Sequence, residues 1–470
     1  MSLIIAGERS GTGKTTITLA LLAYLRRQGW QVQSFKVGPD YIDPMFHQYV
    51  TRRACRNLDP ILTSETYIQQ CFNLHAHRAE CAVVEGVMGL FDGARKQTAV
   101  LKQIQDGKGD NLIADFGSTA HIARLLNLPV LLVLDCSRLS GSIAAIALGY
   151  QTLNPQVKLA GLVLNRVGSD RHLELLQEAL EPLDIPILGV WRRQDRITIP
   201  DRHLGLVPTA ELTQLDDLIE QLTHLAATCF DWQQLLPLLK VEPIQNSKFK
   251  IQNSKFQSTK IALAQDRAFS FYYADNLDLL TELGAEILPW SPLADSQLPE
   301  GTQGLYFGGG FPEIFAQELS ANLPALQAVK KAIASGMPVY AECGGLMYLC
   351  QSIVDFESQS WQMVGVLPTS AIMGSRLTLG YRQAVALQNS PLLTTGKQIW
   401  GHEFHHSHLS VLPTQPLFEI LDSHQPTQEG WQIAQIHASY IHLHWGATPE
   451  LAAKFISESW EYFQPQERKI

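Results

Sequence analysis

Short apolar runs alternate with longer amphipathic stretches along the first half of the chain. SLIIAG, from Ser2, leads into TTITLALLAYLRRQG, and VQSFKVG, AVVEGV, PVLLVLD and LAGLVLNRV follow with polar, helix-period segments between them. Apolar runs of about four to eight residues predict strands buried on both faces, and helical crossovers between them predict a parallel sheet covered on each side. The pattern restarts downstream with KIALAQD, a helix around Tyr272 to Leu283, AEILPW, GLYFGGG, a helix through Leu319 to Ser335, and PVYAECGG, where a strand is expected over Pro338 to Ala341. A second α/β domain is therefore expected. From about Val364 its tail holds separated strand-like pieces (VGVLPTSA, GYRQAVAL, QIAQIHASYIHLHW), for which mixed pairing is expected.

Between the two patterns a peptide copies itself, IQNSKFK from Ile244 and IQNSKFQ from Ile251. A polar tandem repeat offers no apolar face to bury, so it reads as a linker. The expected organisation is a first domain over residues 1–240, a linker over 241–259 and a second domain over 260–470.

Composition narrows the partners. The 470 residues carry a formal net charge of −9, with 46% hydrophobic and 17% charged positions. That balance, without a long basic run, argues against nucleic acid and anionic membrane and favours small ligands. No stretch reaches the roughly 18 apolar residues of a membrane span, and MSLIIAGERS turns polar too early for a signal peptide, so a cytoplasmic location is expected. The seven cysteines (Cys55, Cys71, Cys81, Cys136, Cys229, Cys343 and Cys350) are scattered and never spaced CxxC, which predicts reduced thiols, at most one or two of them functional.

SLIIAG ends in GERSGTGKTT and runs straight into a helix. Strand, glycine-rich turn and helix opening on Lys-Thr is the context of a phosphate-binding loop. Gly11, Thr12, Gly13, Lys14, Thr15 and Thr16 are the expected nucleotide-binding residues. Lys14 would reach the β/γ oxygens and the Thr15 hydroxyl would hold magnesium. The strict GxxxxGK[ST] spacing is missed by one position, with Glu8 where its first glycine belongs and Gly7 one residue earlier. In KVGPDYIDPMFH, Lys36, Asp40, Tyr41 and Asp43 fall at a strand's carboxyl end, where they can face the γ-phosphate and an acceptor. A Gly-Pro-Asp turn with Asp43 capping the next segment reads equally well. AVVEGVMGLFDG places Glu85 at a strand end, the usual second holder of magnesium, and Asp92 in the loop beyond. Asn165, at the end of LAGLVLNRV, can read a nucleobase edge or simply form a turn.

In PVYAECGGLMYL a strand delivers Cys343 onto a turn followed by glycines and a helix, the geometry of a nucleophile elbow. There the helix dipole is expected to lower the thiol pKa. The N–H of Gly344 can contribute to an oxyanion hole, with Gly309 of GLYFGGGFPE as the second donor. HASYIHLHW, read as a strand, puts Tyr440, His442 and His444 on one face, so His442 or His444 could act as base. No carboxylate stands two residues beyond either. GHEFHHSHL gathers His402, His405, His406 and His408, but the spacing fits no common zinc pattern, and substrate binding or a polar strand is the better reading.

These motifs occur in an order that resembles the cobyrinate a,c-diamide synthase family: AGERSGTGKTT, KVGPDYIDPMFH, VVEGVMGLFDG, RHLGLVP, GGGFPE, AECGGLMYL, GHEFHHSH and SYIHLHW span nearly the whole chain. The duplicated linker is the main departure. The resemblance implies an N-terminal dethiobiotin-synthetase-like domain, a P-loop parallel sheet sharing the Gly7-type spacing, and a C-terminal class I glutamine amidotransferase-like α/β domain whose thiol matches Cys343 and which commonly lacks the third triad carboxylate. It implies ATP and Mg2+ as cofactors, with Thr15 and Glu85 as metal ligands. The substrates would be glutamine and a cobyrinate-type corrin amidated at its a and c acetates through acyl phosphates, and Asp40, Tyr41 and Asp92 would position the acceptor. A homodimer is compatible with it. Local positive groups such as Lys14 and Lys36 would meet these anionic ligands. The neighbouring readings are cobyric acid synthase, amidation of hydrogenobyrinate or nickel sirohydrochlorin, and, from another class, a partitioning-type switch ATPase with a degenerate amidotransferase module.

Overall fold

A computed structural model describes residues 2–94, 115–193, 197, 199–202, 205–241, 258–421 and 427–467. The chain divides into two compact units, Met1–Pro60 with Ser64–Lys248, and Ile61–Thr63 with Phe249–Ile470. The duplicated peptide at 244–257 lies outside the described residues.

The first unit is built on seven strands: β1 (Leu3–Gly7), β2 (Val32–Val37), β3 (Arg56–Leu58), β4 (Cys81–Glu85), β5 (Val130–Asp135), β6 (Leu159–Val167) and β7 (Ile187–Arg192). They pair in the order β3-β2-β4-β1-β5-β6-β7, with parallel registers throughout. Every residue of β1, β2, β4 and β5 is buried, which explains the largely apolar runs of β1, β4 and β5; β2 buries Gln33, Ser34 and Lys36 as well. Helix α1 (Lys14–Arg27) covers the sheet with Ile17, Leu21 and Leu25 and ends on Arg26 and Arg27, favourably placed against its dipole. Each fully buried Leu or Ile contributes roughly 1.5–3 kcal/mol. Because the strands are parallel, their carboxyl ends share one edge, and Gly7, Val37, Glu85 and Asp135 all arrive there. Helices α2 (Ile42–Thr51) and α3 (Glu65–Ala76) follow β2 and β3. A short antiparallel pair, β8 (Asp201–Arg202) and β9 (Gly205–Leu206), closes the RHLGLVP region.

The second unit holds β10 (Thr259–Ala264), β11 (Phe269–Phe271), β12 (Ala285–Trp290), β13 (Gly304–Phe307), β14 (Gly309–Gly310), β15 (Val339–Glu342), β16 (Ser352–Val354), β17 (Ser360–Gln362), β18 (Ser370–Ala386), β19 (Gln398–Leu409), β20 (Pro416–Ile420), β21 (Thr427–Ile433) and β22 (Ile436–Ser439). Its main sheet runs β12-β10-β13-β15-β22-β21-β20-β18-β16-β17, with β19 beside β18. The first five strands are parallel, and from β22 to β18 the pairing turns antiparallel, so the sheet is mixed as the tail's pattern implies.

Three local expectations are revised. The helix expected over Leu319 to Ser335 is two, Ala316–Ala321 and Leu323–Ala334, because Asn322 caps the second through Ala325 N and a proline enters its first turn. Strand β15 runs through Glu342, one residue beyond the expected end. The HASYIHLHW ladder stops at Ser439, but alternation persists beyond it: Tyr440 packs in the cluster that contains Cys343, whereas Ile441, Leu443 and Trp445 pack in the cluster on the other side.

Candidate active sites

At the carboxyl edge of the first sheet, Gly11 and Gly13 take positive φ of 77° and 95°, the curl that turns loop N–H groups inward. Lys14 is held within this curl, Nζ donating to Arg9 O at 3.2 Å and Met88 O at 2.5 Å. Burial, then the neighbouring Lys36, lower its pKa to about 8, against the pull of Glu85, Asp43 and Asp92. The Thr15 hydroxyl donates to Glu85 Oε1 at 2.7 Å and lies 3.4 Å from Asp43 Oδ2. Thr12 and Thr16 flank these positions; the Thr12 carbonyl accepts the Asn165 amide at 2.8 Å.

Glu85 is the hub. It is fully buried and accepts from Lys36 Nζ at 2.9 Å through Oε1, while Oε2 meets His47 Nε2 at 2.7 Å. Burial opposes its charge, but Lys36, His47 and Thr15 hold the carboxyl well below the usual range. Burial likewise opposes the His47 cation, yet the Cys55 sulfur, 3.4 Å from Nδ1, and Glu85 raise its pKa to about 10. Lys36 also bonds Asp43 at 2.5 Å and the Gly86 carbonyl at 3.2 Å. Its amine is therefore paired with the Asp43 and Glu85 carboxylates in this structure. Thr15, Glu85 and Asp43 offer hard oxygen donors of the kind that suit magnesium, on the two carboxylate oxygens that the Lys36 ammonium bridges in this structure.

The other predicted residues sit around this hub. Asp40 Oδ1 accepts Ile42 N at 2.8 Å and Asp43 N at 3.1 Å, so Asp40, not Asp43, caps the segment after the turn. Tyr41 is buried at the start of α2. Asp92 Oδ2 accepts Gly89 N at 2.8 Å and closes the loop after β4. Asn165 donates to the phosphate loop and accepts Arg166 N at 2.9 Å, so its described bonds brace the loop. Beside it a cavity of about 530 Å3 is lined by Glu8, Arg9, Asp135, Ser137, Arg138, Leu139, Ile146 and Arg166. Asp135 holds Arg9 at 2.9 Å and Arg166 at 2.6 Å on one oxygen. These arginines were not foreseen, because only folding brings the ends of β1, β5 and β6 together. His47 could have been read from its spacing four residues after Asp43, on the same helical face.

In the second unit Cys343 sits between β15 and a six-residue helix, Gly344–Leu349, at φ 46° and ψ −98°, a left-handed-side backbone that few non-glycine residues adopt. Its N–H donates to Ser439 O at 2.7 Å, which pins the elbow to β22. A Cβ on Gly344 would lie 3.1 Å from Gly310 N, so β14 runs directly beside the elbow, and Gly345 N donates to Gly308 O at 3.0 Å. Gly309 and Gly344 are thereby brought together. The expected lowering of the thiol pKa is overturned: burial first, then the Glu313 carboxylate, push Cys343 well above its ordinary value, and the Gly344 N–H only partly offsets this. The thiol therefore needs a base.

His442 lies against Gly309, with Cε1 2.5 Å from the position of a Cβ there. Its main chain pairs with His402 in both directions, at 3.0 and 2.9 Å. Nδ1 lies 3.4 Å from Glu342 Oε2. His444 instead faces Asp275, at 3.7 Å, and the Tyr273 ring, at 4.7 Å. The GHEFHHSHL histidines diverge: His405 stacks on Tyr440 at 3.9 Å and its Nδ1 meets Ser407 O, while His402 is buried behind His442. Among the described residues, none of the four belongs to a group of donors able to share a metal ion. Glu342 is the residue that sequence reasoning missed; it was sought two positions beyond a histidine and stands one before the cysteine.

Comparisons with known proteins agree with this two-part layout. Residues 3–207 match a CobQ/CobB/MinD/ParA nucleotide binding domain, and residues 260–450 match a CobB/CobQ-like glutamine amidotransferase domain. A cobyrinate a,c-diamide synthase of Synechococcus sp. is 59% identical over 97% of this chain and 98% of its own length. One of Synechocystis sp. is 53% identical, covering 97% and 92%. A hydrogenobyrinate a,c-diamide synthase of Streptomyces coelicolor is 38% identical, covering 97% and 96%. No helix among the described residues is long and apolar enough to cross a membrane.

Proposed function

The chain belongs to the cobyrinate a,c-diamide synthase family, glutamine-dependent amidotransferase ligases, and from that premise we propose that it amidates the a and c acetate carboxylates of cobyrinate, using ATP with magnesium and two glutamines. The observation that carries this reading is the presence of two separately built centres, a phosphate loop with Thr15 on Glu85 and a strained elbow with Cys343 beside Gly309 and His442.

At the elbow His442 takes the Cys343 proton, and sulfur attacks the side-chain carbonyl carbon of glutamine. The N–H groups of Gly344 and Gly309 hold the developing oxyanion. The amide nitrogen leaves as ammonia with the proton returned by His442, and water then cleaves the glutamyl thioester to glutamate and free thiol. At the phosphate loop Gly11 to Thr16 cradle the nucleotide phosphates, with Lys14 on the β/γ oxygens. Thr15, Glu85 and Asp43 would hold magnesium, which when bound supplies positive charge against the transferring phosphoryl group. An acetate oxygen of the corrin takes the γ-phosphoryl group and ADP leaves. Ammonia then adds to the acyl carbon and phosphate departs, giving the amide. Activation is required because a carboxylate is too poor an electrophile for ammonia. Asp40, Tyr41 and Asp92 shape the acceptor side, and Arg138, beside Arg9 and Arg166 held on Asp135, offers a cation to an anionic ligand in the neighbouring cavity. A cytoplasmic enzyme, acting as monomer or homodimer, completes the reading.

The test is Cys343→Ser, assayed by mass spectrometry with cobyrinate, ATP, magnesium and either glutamine or ammonia. Amidation from glutamine should vanish while amidation from ammonia persists; loss of both in a folded variant would count against the division of labour. Hydrogenobyrinate in a parallel reaction tests the second macrocycle, which the Streptomyces relative's name raises.

A further inference from the structure

An imidazole acts as a base toward a thiol only when one ring nitrogen is unprotonated and aimed at it, and that tautomer is set by what holds the other nitrogen. Two positions beyond His442 stands His444, and two beyond His444 stands Gly446, so the chain places no carboxylate where such an orienting group would follow the histidine. The carboxylate comes instead from the strand that carries the nucleophile.

Glu342 is 1% exposed at the last position of β15. One of its oxygens, Oε1, accepts Leu443 N at 3.0 Å and the Tyr340 hydroxyl. This fixes the carboxylate against the residue next to His442 and leaves Oε2 for the ring, 3.4 Å from Nδ1. The strand register strengthens the arrangement: Glu342 pairs with Ser439, three residues before His442, and His442 is itself pinned by two main-chain bonds to His402. Nδ1 thus stands at Glu342 and the Cε1 edge against Gly309, and the reading of His442 as base assigns Nε2 to Cys343.

We propose that Glu342 is the positioning residue of the glutamine-cleaving centre, holding the Nδ1–H tautomer of His442 and balancing the imidazolium that forms when Cys343 gives up its proton. An amide at this position could accept from Leu443 and Tyr340 equally well; what only a carboxylate supplies is charge opposite the imidazolium. A buried carboxylate costs several kcal/mol unless such a partner exists, which accounts for an acid rather than an amide at this strand end.

The inference rests on the Cys343–His442 assignment, so the two are tested side by side in the full-length enzyme with ATP, magnesium and cobyrinate. Glutamate release should lose about 10²- to 10⁴-fold in kcat in Glu342→Gln, with KM for glutamine within a few-fold, and Glu342→Asp should recover part of the loss. Ammonia-dependent amidation serves as the fold control. If His442→Asn abolishes glutamate release but Glu342→Gln stays within threefold of wild type, the role of Glu342 is refuted and the assignment survives. If His442→Asn itself retains activity, the assignment falls and the inference with it. Nitrogen NMR of 15N-histidine-labelled wild type gives a readout independent of any variant's folding: neutral His442 should carry its proton on Nδ1, and a proton on Nε2 would overturn the proposal.

Discussion

A β-carbon placed on Gly309 would stand 2.5 Å from Cε1 of His442. A retreat of the ring would change its distance to Glu342, and the Phe271 side chain would stand 3.3 Å from the same β-carbon, so the added methyl has little room of its own. Gly309→Ala should therefore displace the imidazole rather than be absorbed. Because misplacing a catalytic group by about 1 Å costs on the order of 10²-fold, kcat with glutamine should fall by about that factor. Steady-state kinetics with glutamine and with ammonia check this, and equal losses with both donors would show a folding defect instead.

The two candidate histidines should separate in one experiment. His442 lies at Gly309 and Glu342, whereas His444 accepts Gly446 N at 3.2 Å and packs on Tyr273. His442→Asn should lower glutamine-dependent kcat by about 10²- to 10⁴-fold. His444→Asn should leave kcat within several-fold of wild type and lower the thermal midpoint, because it removes packing from a buried site.

In the first unit, Glu85→Gln tests the hub. Lys36 and His47 both face this carboxylate from positions with almost no exposure. Breaking a buried pair by removing one partner costs about 3–5 kcal/mol, so the urea midpoint should drop, and amidation should fail with glutamine and ammonia alike. Lys14→Ala should block product formation from either nitrogen source without comparable destabilisation, since among the described residues its amine donates to the carbonyls of Arg9 and Met88. Retained turnover in Lys14→Ala would remove it from the phosphate site.

Much of this was legible because local chemistry repeats in the chain. Parallel strands buried along most of their length leave largely apolar runs, and LAGLVLNRV is a strand over the very residues expected, Leu159–Val167. Glycines flanking Lys14 and Cys343 announce sharp turns wherever they stand. What escaped were relations made by register. Glu342 meets His442 only because β15 lies on β22, and Arg9 meets Arg166 only because β1, β5 and β6 are neighbours. The Cys343 pKa differs for another reason: a helix start suggests a lowered value, but burial of the thiol and the Glu313 carboxylate beside it raise it.

Acid should destabilise the second unit through His437. This residue is fully buried on β22, with Nδ1 2.9 Å from Ser390 Oγ and its ring against Tyr340 and Phe418. Burial lowers its pKa from 6.5 to about 3. Below about pH 6.5 the unfolded chain takes up a proton that the native state refuses, so this residue's contribution to stability is whole above that pH and is lost progressively toward pH 3. His437→Gln removes the linkage along with some packing. The variant should be less stable than wild type at pH 7.5, and the gap in denaturant midpoint should shrink as the pH is lowered to 5. A gap that stays constant over that range would show that His437 does not titrate as its burial requires.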